Sequence, residues 1–166
     1  SFTEEALELM TKKPNMRVMV LPEEIPTDEI RTIDGGALVQ RTPKHMTENW
    51  QVVTEREPDA HEMEAMRLAS KICEHAKSNT IIFADEKAAI GIGVGKMSRV
   101  DSAKIAVHKA RKSLKGTAVA SDAFLPFPDT LEEAAKAGAT ALVQPGGSIR
   151  DQMVIDAANR LNVAMV

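Results

Sequence analysis

The sequence has a single cysteine, few aromatic residues and no grouping of metal-binding side chains. A lone cysteine, Cys73, excludes an internal disulfide and a zinc ribbon. No His, Cys and carboxylate residues recur at the spacing of a metal site, so we expect no zinc or other resident metal. Aromatic residues make up 3% of the chain, which predicts a core built from aliphatic side chains.

A large net charge and long apolar runs are absent as well. The net charge is -3 and no Lys/Arg block occurs, which argues against a nucleic-acid partner. Apolar runs extend for only a few residues, so neither a membrane span nor a signal peptide is predicted. With 43% hydrophobic and 27% charged residues, the chain is typical of a soluble globular protein. We expect a cytoplasmic protein with a single domain over residues 1–166.

The first half of the chain has mixed patterns. A short helix capped by Thr3 is followed by predicted strands over 17–21 and 50–54. The extended stretch between them is broken at Gly35, where a turn or bulge is expected. Apolar spacing of three and four predicts a helix over 59–77.

The second half alternates between apolar strands and amphipathic helices. A hairpin turning at residues 85–87 precedes a predicted helix over 99–114, and two further strand–helix units follow. The predicted N-terminal caps are the pairs Ser98–Asp101, Thr130–Glu133 and Ser148–Asp151. This alternation predicts an α/β fold: a mostly parallel sheet with a β-hairpin, covered by helices on both faces.

The stretch "IGIGVGKMSR" (90–99) has glycines at alternate positions but fits neither common phosphate-binding motif. Ile90 stands where a P-loop needs its first glycine, and Lys96 where a dinucleotide fingerprint needs its last. Two interpretations stay open. The strand could let a ligand approach and deliver Arg99 to a helix N-terminus that favours anions. Alternatively, it is a glycine-rich strand under a packed helix, with Arg99 solvated.

Two more polar turns are predicted beside the first. Asp122 and Asp129 lie on a proline-containing turn over 121–130, and Ser148 lies on a glycine turn over 144–151. In parallel sheets, ligands bind beyond the carboxyl ends of the strands, where these turns are expected. Each turn could instead be structural, with Asp129 only capping a helix. Three such turns at one edge favour a binding site.

These stretches together resemble one family. Residues 78–110 ("SNTIIFADEKAAIGIGVGKMSRVDSAKIAVHKA") and 121–158 ("SDAFLPFPDTLEEAAKAGATALVQPGGSIRDQMVIDAA") are similar to the transformylase part of the AICAR transformylase/IMP cyclohydrolase family. "NMRVMVLPE" and "IDGGALVQ" fit the same family upstream, in the same order. The resemblance therefore extends over nearly the whole chain.

The resemblance implies a reaction and a fold. The family transfers a formyl group from the co-substrate 10-formyltetrahydrofolate to the 5-amino group of aminoimidazole carboxamide ribonucleotide (AICAR) in purine (IMP) biosynthesis. Its transformylase region has a three-layer α/β/α, cytidine-deaminase-like fold without the catalytic zinc. It acts as a homodimer with active sites between subunits, and its partners are therefore a nucleotide, a folate and a second copy.

The resemblance also implies roles for individual residues. Asn79 matches an asparagine near the transferred formyl group, and Arg99 matches an arginine that contacts the nucleotide. The positions that match the lining of the folate pocket are Val100, Phe124, Asp129, Ser148 and Ile149. An asparagine amide can stabilise the negative charge that develops on the formyl oxygen, so Asn79 is the candidate catalytic residue.

The chain departs from the family pattern in several ways. The catalytic Lys–His pair of the family is absent, and the Lys44–His45 pair lies in a different region. The expected C-terminal segment with a nucleotide-contacting arginine and phenylalanine is missing, as is a cyclohydrolase domain, and Lys96 replaces a common glutamine. We therefore expect part of a longer enzyme that is inactive by itself. The alternatives are a non-catalytic nucleotide-binding or dimerisation module and an α/β domain whose turns are only structural.

Overall fold

The computed structural model describes residues 2–20, 28–41 and 50–166. The chain divides into two compact units, Ser1–Lys44 and His45–Val166. Among the described residues, no helix combines the length and the apolar character needed to cross a membrane.

The first unit contains one helix and one hairpin. Helix α1 (Glu4–Thr11) is capped as predicted, since the Thr3 side chain accepts a hydrogen bond from the Ala6 N–H at 3.2 Å. Strands β1 (Asp28–Ile33) and β2 (Gly36–Arg41) pair antiparallel around a turn in which Gly35 has φ +75°. Every residue of both strands is exposed within this unit.

The second unit contains a five-stranded sheet and four helices among its described residues. In chain order the elements are α2 (Ala60–Glu74), β3 (Ile81–Ala84), β4 (Ala89–Gly93), α3 (Arg99–Lys109), β5 (Ala118–Ser121), α4 (Asp129–Ala137), β6 (Ala141–Val143), α5 (Asp151–Arg160) and β7 (Ala164–Met165). The strands lie in the order β4-β3-β5-β6-β7.

The sheet is mixed. Strand β3 runs antiparallel to both β4 and β5, whereas β5, β6 and β7 are mutually parallel. Four strands therefore run in one direction and β3 runs against them. The predicted α/β class and the β3–β4 hairpin are confirmed, but the sheet is mixed rather than mostly parallel, because β3 pairs antiparallel on both sides.

Each face of the sheet has its own apolar core. Alternate side chains of the strands pack against α2 on one face, in a cluster that includes Met66, Cys73 and Ile82. Side chains of the opposite parity pack against α3, α4 and α5 on the other face. Phe83 is the largest fully buried side chain, and the other large ones are aliphatic residues and methionines, as the low aromatic content predicted.

Two predicted strands are absent as regular structure. Residues 17–20 form no strand, and Leu21 lies outside the described residues. The segment 50–54 runs beside β7 without continuous pairing: the Val53 N–H donates to the Met165 carbonyl at 3.0 Å. The Met165 N–H donates at 2.8 Å to the hydroxyl of Thr54 instead of to a backbone carbonyl. The Thr54 hydroxyl thus takes the place of a backbone carbonyl as the acceptor.

Helix α3 is shorter than predicted. It ends at Lys109, and Ala110 is extended with φ -60° and ψ 128°. Leu114 is buried in the same core although it lies beyond the helix. The apolar spacing included Leu114 because the residue is buried, and burial alone does not distinguish the end of a helix from the loop after it.

Candidate functional site

The strand directions bring three turns to one edge of the sheet. Because β4, β5 and β6 run in the same direction, their carboxyl ends lie together with the amino end of the antiparallel β3. We call this region the site edge; it comprises residues 78–80, 94–99, 121–130 and 144–151. The predicted gathering of the three turns is confirmed.

The alternate glycines of β4 are required by helix packing. A Cβ atom added to Gly91 would lie 2.9 Å from the Ala106 carbonyl oxygen, and one added to Gly93 would lie 1.8 Å from that of Ser102. Helix α3 thus lies directly on the backbone of β4. The packing of a helix on the glycine-rich strand is confirmed, and it fixes the position at which α3 begins, whereas the ligand role of Arg99 stays a prediction.

Arg99 is the first residue of α3 and is mostly covered. Its side chain is 21% exposed, and its Nη2 atom lies 3.8 Å from Oδ1 of Asp122 at the end of β5. Its Nε atom is buried without a hydrogen-bond partner in the described part of the chain. The alternative in which Arg99 is solvated therefore does not hold. A guanidinium held in this way is unusual, because buried polar groups are normally hydrogen-bonded.

The start of α3 is capped as predicted. The Ser98 hydroxyl accepts a hydrogen bond from the Asp101 N–H at 3.2 Å and donates to the Asp101 carboxylate at 2.7 Å. This cap fixes the first turn and with it the origin of the Arg99 side chain.

Asn79 is anchored to the same first turn. The side-chain amide of Asn79 donates to the Lys96 backbone carbonyl at 2.8 Å. The backbone carbonyl of Asn79 accepts from the buried Ser102 hydroxyl at 2.8 Å. The Ser78–Asn79 peptide bond is cis. Asn79 and Arg99 therefore belong to one connected set of contacts. Lys96, which differs from the family pattern, takes part through its backbone.

The second and third turns also contact each other. The Arg150 guanidinium lies over the Phe127 ring, 4.4 Å from its centroid. The Leu125 N–H donates to the Gln144 side-chain carbonyl at 2.6 Å, which fastens the proline-containing turn to the end of β6. Phe124 and Phe127 remain exposed and present apolar surface at the site edge.

The predicted cap of α4 differs from the observed one, whereas the predicted pair before α5 is present. Helix α4 begins at Asp129, whose carboxylate accepts the Thr130 N–H at 2.7 Å, and the Thr130–Glu133 capping box does not form. Helix α5 begins at Asp151, and the predicted Ser148–Asp151 pair forms just before it, where the Ser148 hydroxyl also accepts the Arg150 N–H at 3.1 Å. The Asp151 carboxylate accepts the N–H groups of Gly147 at 2.7 Å and of Ser148 at 3.2 Å.

Four of the five predicted folate-pocket positions lie on the site edge, and Val100 directly follows it. Val100 is half-buried in the first turn of α3, and Asp129 is exposed in the first turn of α4. Phe124 is exposed on the second turn, Ser148 is half-buried on the third, and Ile149 beside it is fully exposed. Asn79 thus lies just before β3 and Arg99 at the start of α3, whereas Asp129, Ser148 and Ile149 belong to the other two turns.

The cysteine and His61 add no reactive group to this edge. Burial, followed by the charges of Asp122 and Glu74, raises the pKa of the Cys73 thiol to about 12, so it stays protonated at neutral pH. His61 is exposed beside Glu86 at 3.6 Å. Within the described residues no three His, Cys, Asp or Glu side chains are placed to hold a metal. Lys44–His45 lies outside the described residues.

Sequence reasoning missed two of the anchors. The Ser102 hydroxyl and the Lys96 carbonyl hold Asn79, and neither was predicted to do so. Ser102 had one detectable signal, since it is a polar residue next to the apolar stripe of α3. The Lys96 carbonyl had none, because a backbone group leaves no trace in the sequence.

The geometry defines an α/β protein whose polar turns converge beyond the strand ends, where such folds bind small ligands. Comparison with known proteins identifies the family. The model of the "AICARFT/IMPCHase bienzyme" family matches residues 1–109. The chain belongs to this family, as the resemblance predicted.

Relatives with a printed function extend the match to the whole chain. The bifunctional purine biosynthesis protein PurH of Agrobacterium fabrum (strain C58 / ATCC 33970) is 49% identical over 180 residues, which are 99% of this chain and 34% of the relative. Its counterpart in Lysinibacillus sphaericus (strain C3-41) is 44% identical over 171 residues, 100% of this chain and 34% of the relative. The PurH protein of Bacillus subtilis (strain 168) is 43% identical over 171 residues, which are 100% of this chain and 33% of the relative. The chain therefore spans about a third of the length of the curated relatives it matches.

Proposed function

We propose that this chain is part of a phosphoribosylaminoimidazolecarboxamide formyltransferase. The enzyme would transfer a formyl group from 10-formyltetrahydrofolate to the 5-amino group of AICAR in IMP biosynthesis. The observation that supports this function is that Asn79, held by Lys96, and Arg99, held near Asp122, both lie on the site edge in a chain of the AICARFT/IMPCHase family.

Arg99 would bind the nucleotide. Its nearest counter-charge, on Asp122, is 3.8 Å away, beyond hydrogen-bond distance, and no described residue accepts a hydrogen bond from its guanidinium. Its Nη hydrogens can therefore be donated to an acceptor on a ligand. A charge-assisted bond in a partly desolvated position is stronger than one at an open surface.

Asn79 would stabilise the transition state. The AICAR amine is a weak nucleophile, so attack on the formyl carbon needs close positioning and a donor for the oxygen that becomes negative. One hydrogen of the Asn79 amide is donated to Lys96, and the nitrogen carries a second one. The Lys96 and Ser102 contacts fix this amide before substrate arrives, which is the requirement for an efficient oxyanion donor.

The folate would bind along the second and third turns. A pterin is flat and has N–H donors, and this part of the site edge offers exposed apolar rings together with a carboxylate. The residues assigned to this pocket are Val100, Phe124, Asp129, Ser148 and Ile149. Their chemistry suits the co-substrate, and no residue here is assigned to zinc.

The remaining parts of the catalytic machinery would come from other polypeptide. We propose that the single domain of residues 1–166 is part of a longer transformylase region that also supplies the Lys–His pair as general base, the C-terminal nucleotide-contacting segment and a cyclohydrolase domain. The enzyme would be a cytoplasmic homodimer with inter-subunit active sites. A sheet with helices on both faces supports the three-layer, cytidine-deaminase-like assignment.

Two substitutions in the full-length protein test this function. Arg99→Ala should weaken AICAR binding by about 1.5–3 kcal/mol, the scale of a charge-assisted contact, measured by calorimetry. Asn79→Ala should lower turnover by a factor on the order of 10²–10³, as for loss of an oxyanion donor. Arg160→Ala, which removes an exposed arginine paired with Glu132, is the matched control.

Each of these two predictions can be contradicted by a specific result. Unchanged AICAR affinity in Arg99→Ala would contradict the nucleotide contact, and a raised KM with unchanged kcat in Asn79→Ala would contradict the catalytic role. AICAR binding without any turnover by the full-length wild type would favour the non-catalytic module. The parent gene offers a cheaper discriminator, since only a longer reading frame can supply the Lys–His segment.

A further inference from the structure

We propose that Asp122 is a positioning residue for Arg99, which it holds by charge without occupying the donors of the guanidinium. This role rests on the proposed function, because it assumes that Arg99 binds the nucleotide. Asp122 itself would not touch the substrate.

The contacts place Asp122 at the junction of three elements. Its Oδ1 atom accepts the Thr80 N–H at 2.9 Å and lies 3.8 Å from Nη2 of Arg99. Its own N–H donates to the Thr80 carbonyl at 3.4 Å. Since Thr80 directly follows Asn79, one carboxylate oxygen connects the end of β5, the residue after the candidate oxyanion donor and the first residue of α3.

Burial makes this charge important. The Asp122 side chain is 10% exposed and that of Arg99 is 21% exposed, so solvent stabilises neither charge fully. A buried guanidinium whose Nε has no described partner is unfavourable unless an opposite charge lies close by. The Asp122 carboxylate is that charge.

The distance distinguishes this arrangement from an ordinary salt bridge. A bidentate pair would bring both partners to about 2.7–2.9 Å and use two guanidinium donors. At 3.8 Å the attraction persists, while the hydrogen bonds remain unformed. Asp122 can therefore orient Arg99 and leave it able to bind an incoming acceptor.

The competing explanation is that Asp122 only accepts the Thr80 N–H and so stabilises the start of β3. Asp122→Asn separates the two roles, because the amide oxygen can still accept from Thr80 while the charge near Arg99 is lost. Asp85→Asn is the matched control. Its Oδ1 atom accepts the N–H groups of Lys87 at 2.8 Å and of Ala88 at 2.7 Å, at the opposite end of β3.

The test is a double-mutant cycle in the full-length protein, with the AICAR Kd measured by calorimetry. We expect Asp122→Asn to raise Kd about tenfold in the wild-type background and less than about twofold in the Arg99→Ala background. Asp85→Asn should leave Kd unchanged. An equal effect of Asp122→Asn in both backgrounds, or no effect in either, would overturn the positioning role.

Two further measurements keep the outcome interpretable. Asp122→Glu retains the charge, so its Kd should lie closer to the wild type than that of Asp122→Asn; the reverse order would also overturn the proposal. This variant serves as well if Asp122→Asn does not fold. Failure of the proposed function is separately visible, because Arg99→Ala alone would then leave Kd unchanged.

Discussion

At the scale of single residues, Glu62 is a buried charge outside the site edge that several hydrogen bonds hold in place. Its two carboxylate oxygens accept from the Arg56 guanidinium at 2.8 and 2.9 Å, and one also accepts the Asp59 N–H at 2.9 Å. Burial raises the pKa of Glu62, but hydrogen bonds from Arg56 and from the Asp59 backbone outweigh it, and the net shift is below the ordinary value of 4.5. Arg56 also donates to the carbonyls of Asn162 and Thr140, so this pair joins α2 to the strand ends.

The lowered pKa of Glu62 makes stability depend on pH in a definite direction. A carboxyl whose folded pKa is depressed stabilises the protein above its unfolded pKa, and this contribution is lost as pH falls through the folded pKa. We expect Glu62→Gln to lower the free energy of unfolding by about 1–3 kcal/mol at pH 7, because a buried charged hydrogen bond is removed. The difference in unfolding free energy between Glu62→Gln and wild type should shrink below pH 4.5. Urea unfolding at pH 7 and at about pH 3 measures this change.

Glu64→Gln is the control for this prediction. It makes the same change two residues away on the same helix, at an exposed carboxylate paired with Arg67. Its effect should stay within about 0.5 kcal/mol at every pH. A Glu62→Gln deficit that is constant from pH 7 to pH 3 would show that the carboxylate charge is not the source of the stabilisation.

At the scale of helices and strands, the sequence correctly predicted features that depend on neighbouring residues, such as helix caps and turns. Thr3 and Ser98 cap their helices as expected, and the hairpin at residues 85–87 and the alternation after Ala118 are present. One error concerns a helix end, since Thr130 resembles a cap yet α4 begins at the neighbouring Asp129. Asp, Ser and Thr compete for the same role, and local pattern does not decide between adjacent candidates.

The glycines of β4 give the sharpest prediction at this scale. Gly93→Ala would place a methyl group 1.8 Å from the Ser102 carbonyl oxygen, so α3 must move away from the sheet. We expect a loss of about 3 kcal/mol or more in the free energy of unfolding, because the clash is with backbone and cannot be relieved by a rotamer change. Gly91→Ala, with its nearest contact at 2.9 Å, should have a smaller effect.

The same displacement should reach the site edge, because α3 carries Arg99 on its first turn. AICAR affinity of full-length Gly93→Ala is therefore expected to fall together with the urea midpoint. Gly36→Ala is the matched control, since no atom lies within 4 Å of the added methyl group. Wild-type stability of Gly93→Ala would contradict the direct packing of α3 on β4.

At the scale of the whole molecule, the arrangement of the strands could not be read from local pattern. Strand β5 pairs with β3 rather than with β4. The antiparallel β3 therefore lies between β4 and β5, which run in the opposite direction. This pairing brings Asp122 to Thr80, across 42 positions of sequence, and no periodicity encodes such a contact. Resemblance to a family therefore predicted residue roles, whereas the pattern alone left functional and structural interpretations open.

This topology predicts how protection from hydrogen exchange is distributed. Strands β3 and β5 are bonded on both sides and buried throughout, so their amides should open only on global unfolding. The β1–β2 hairpin has only exposed residues and a single pairing, and should exchange orders of magnitude faster. Strand β4, paired on one side within the described sheet, is the internal comparison and should be intermediate. Mass spectrometry of peptides from the labelled chain measures all three regions in one experiment. Protection of the hairpin equal to that of β3 would contradict the prediction, because exposed two-stranded pairing cannot provide it alone.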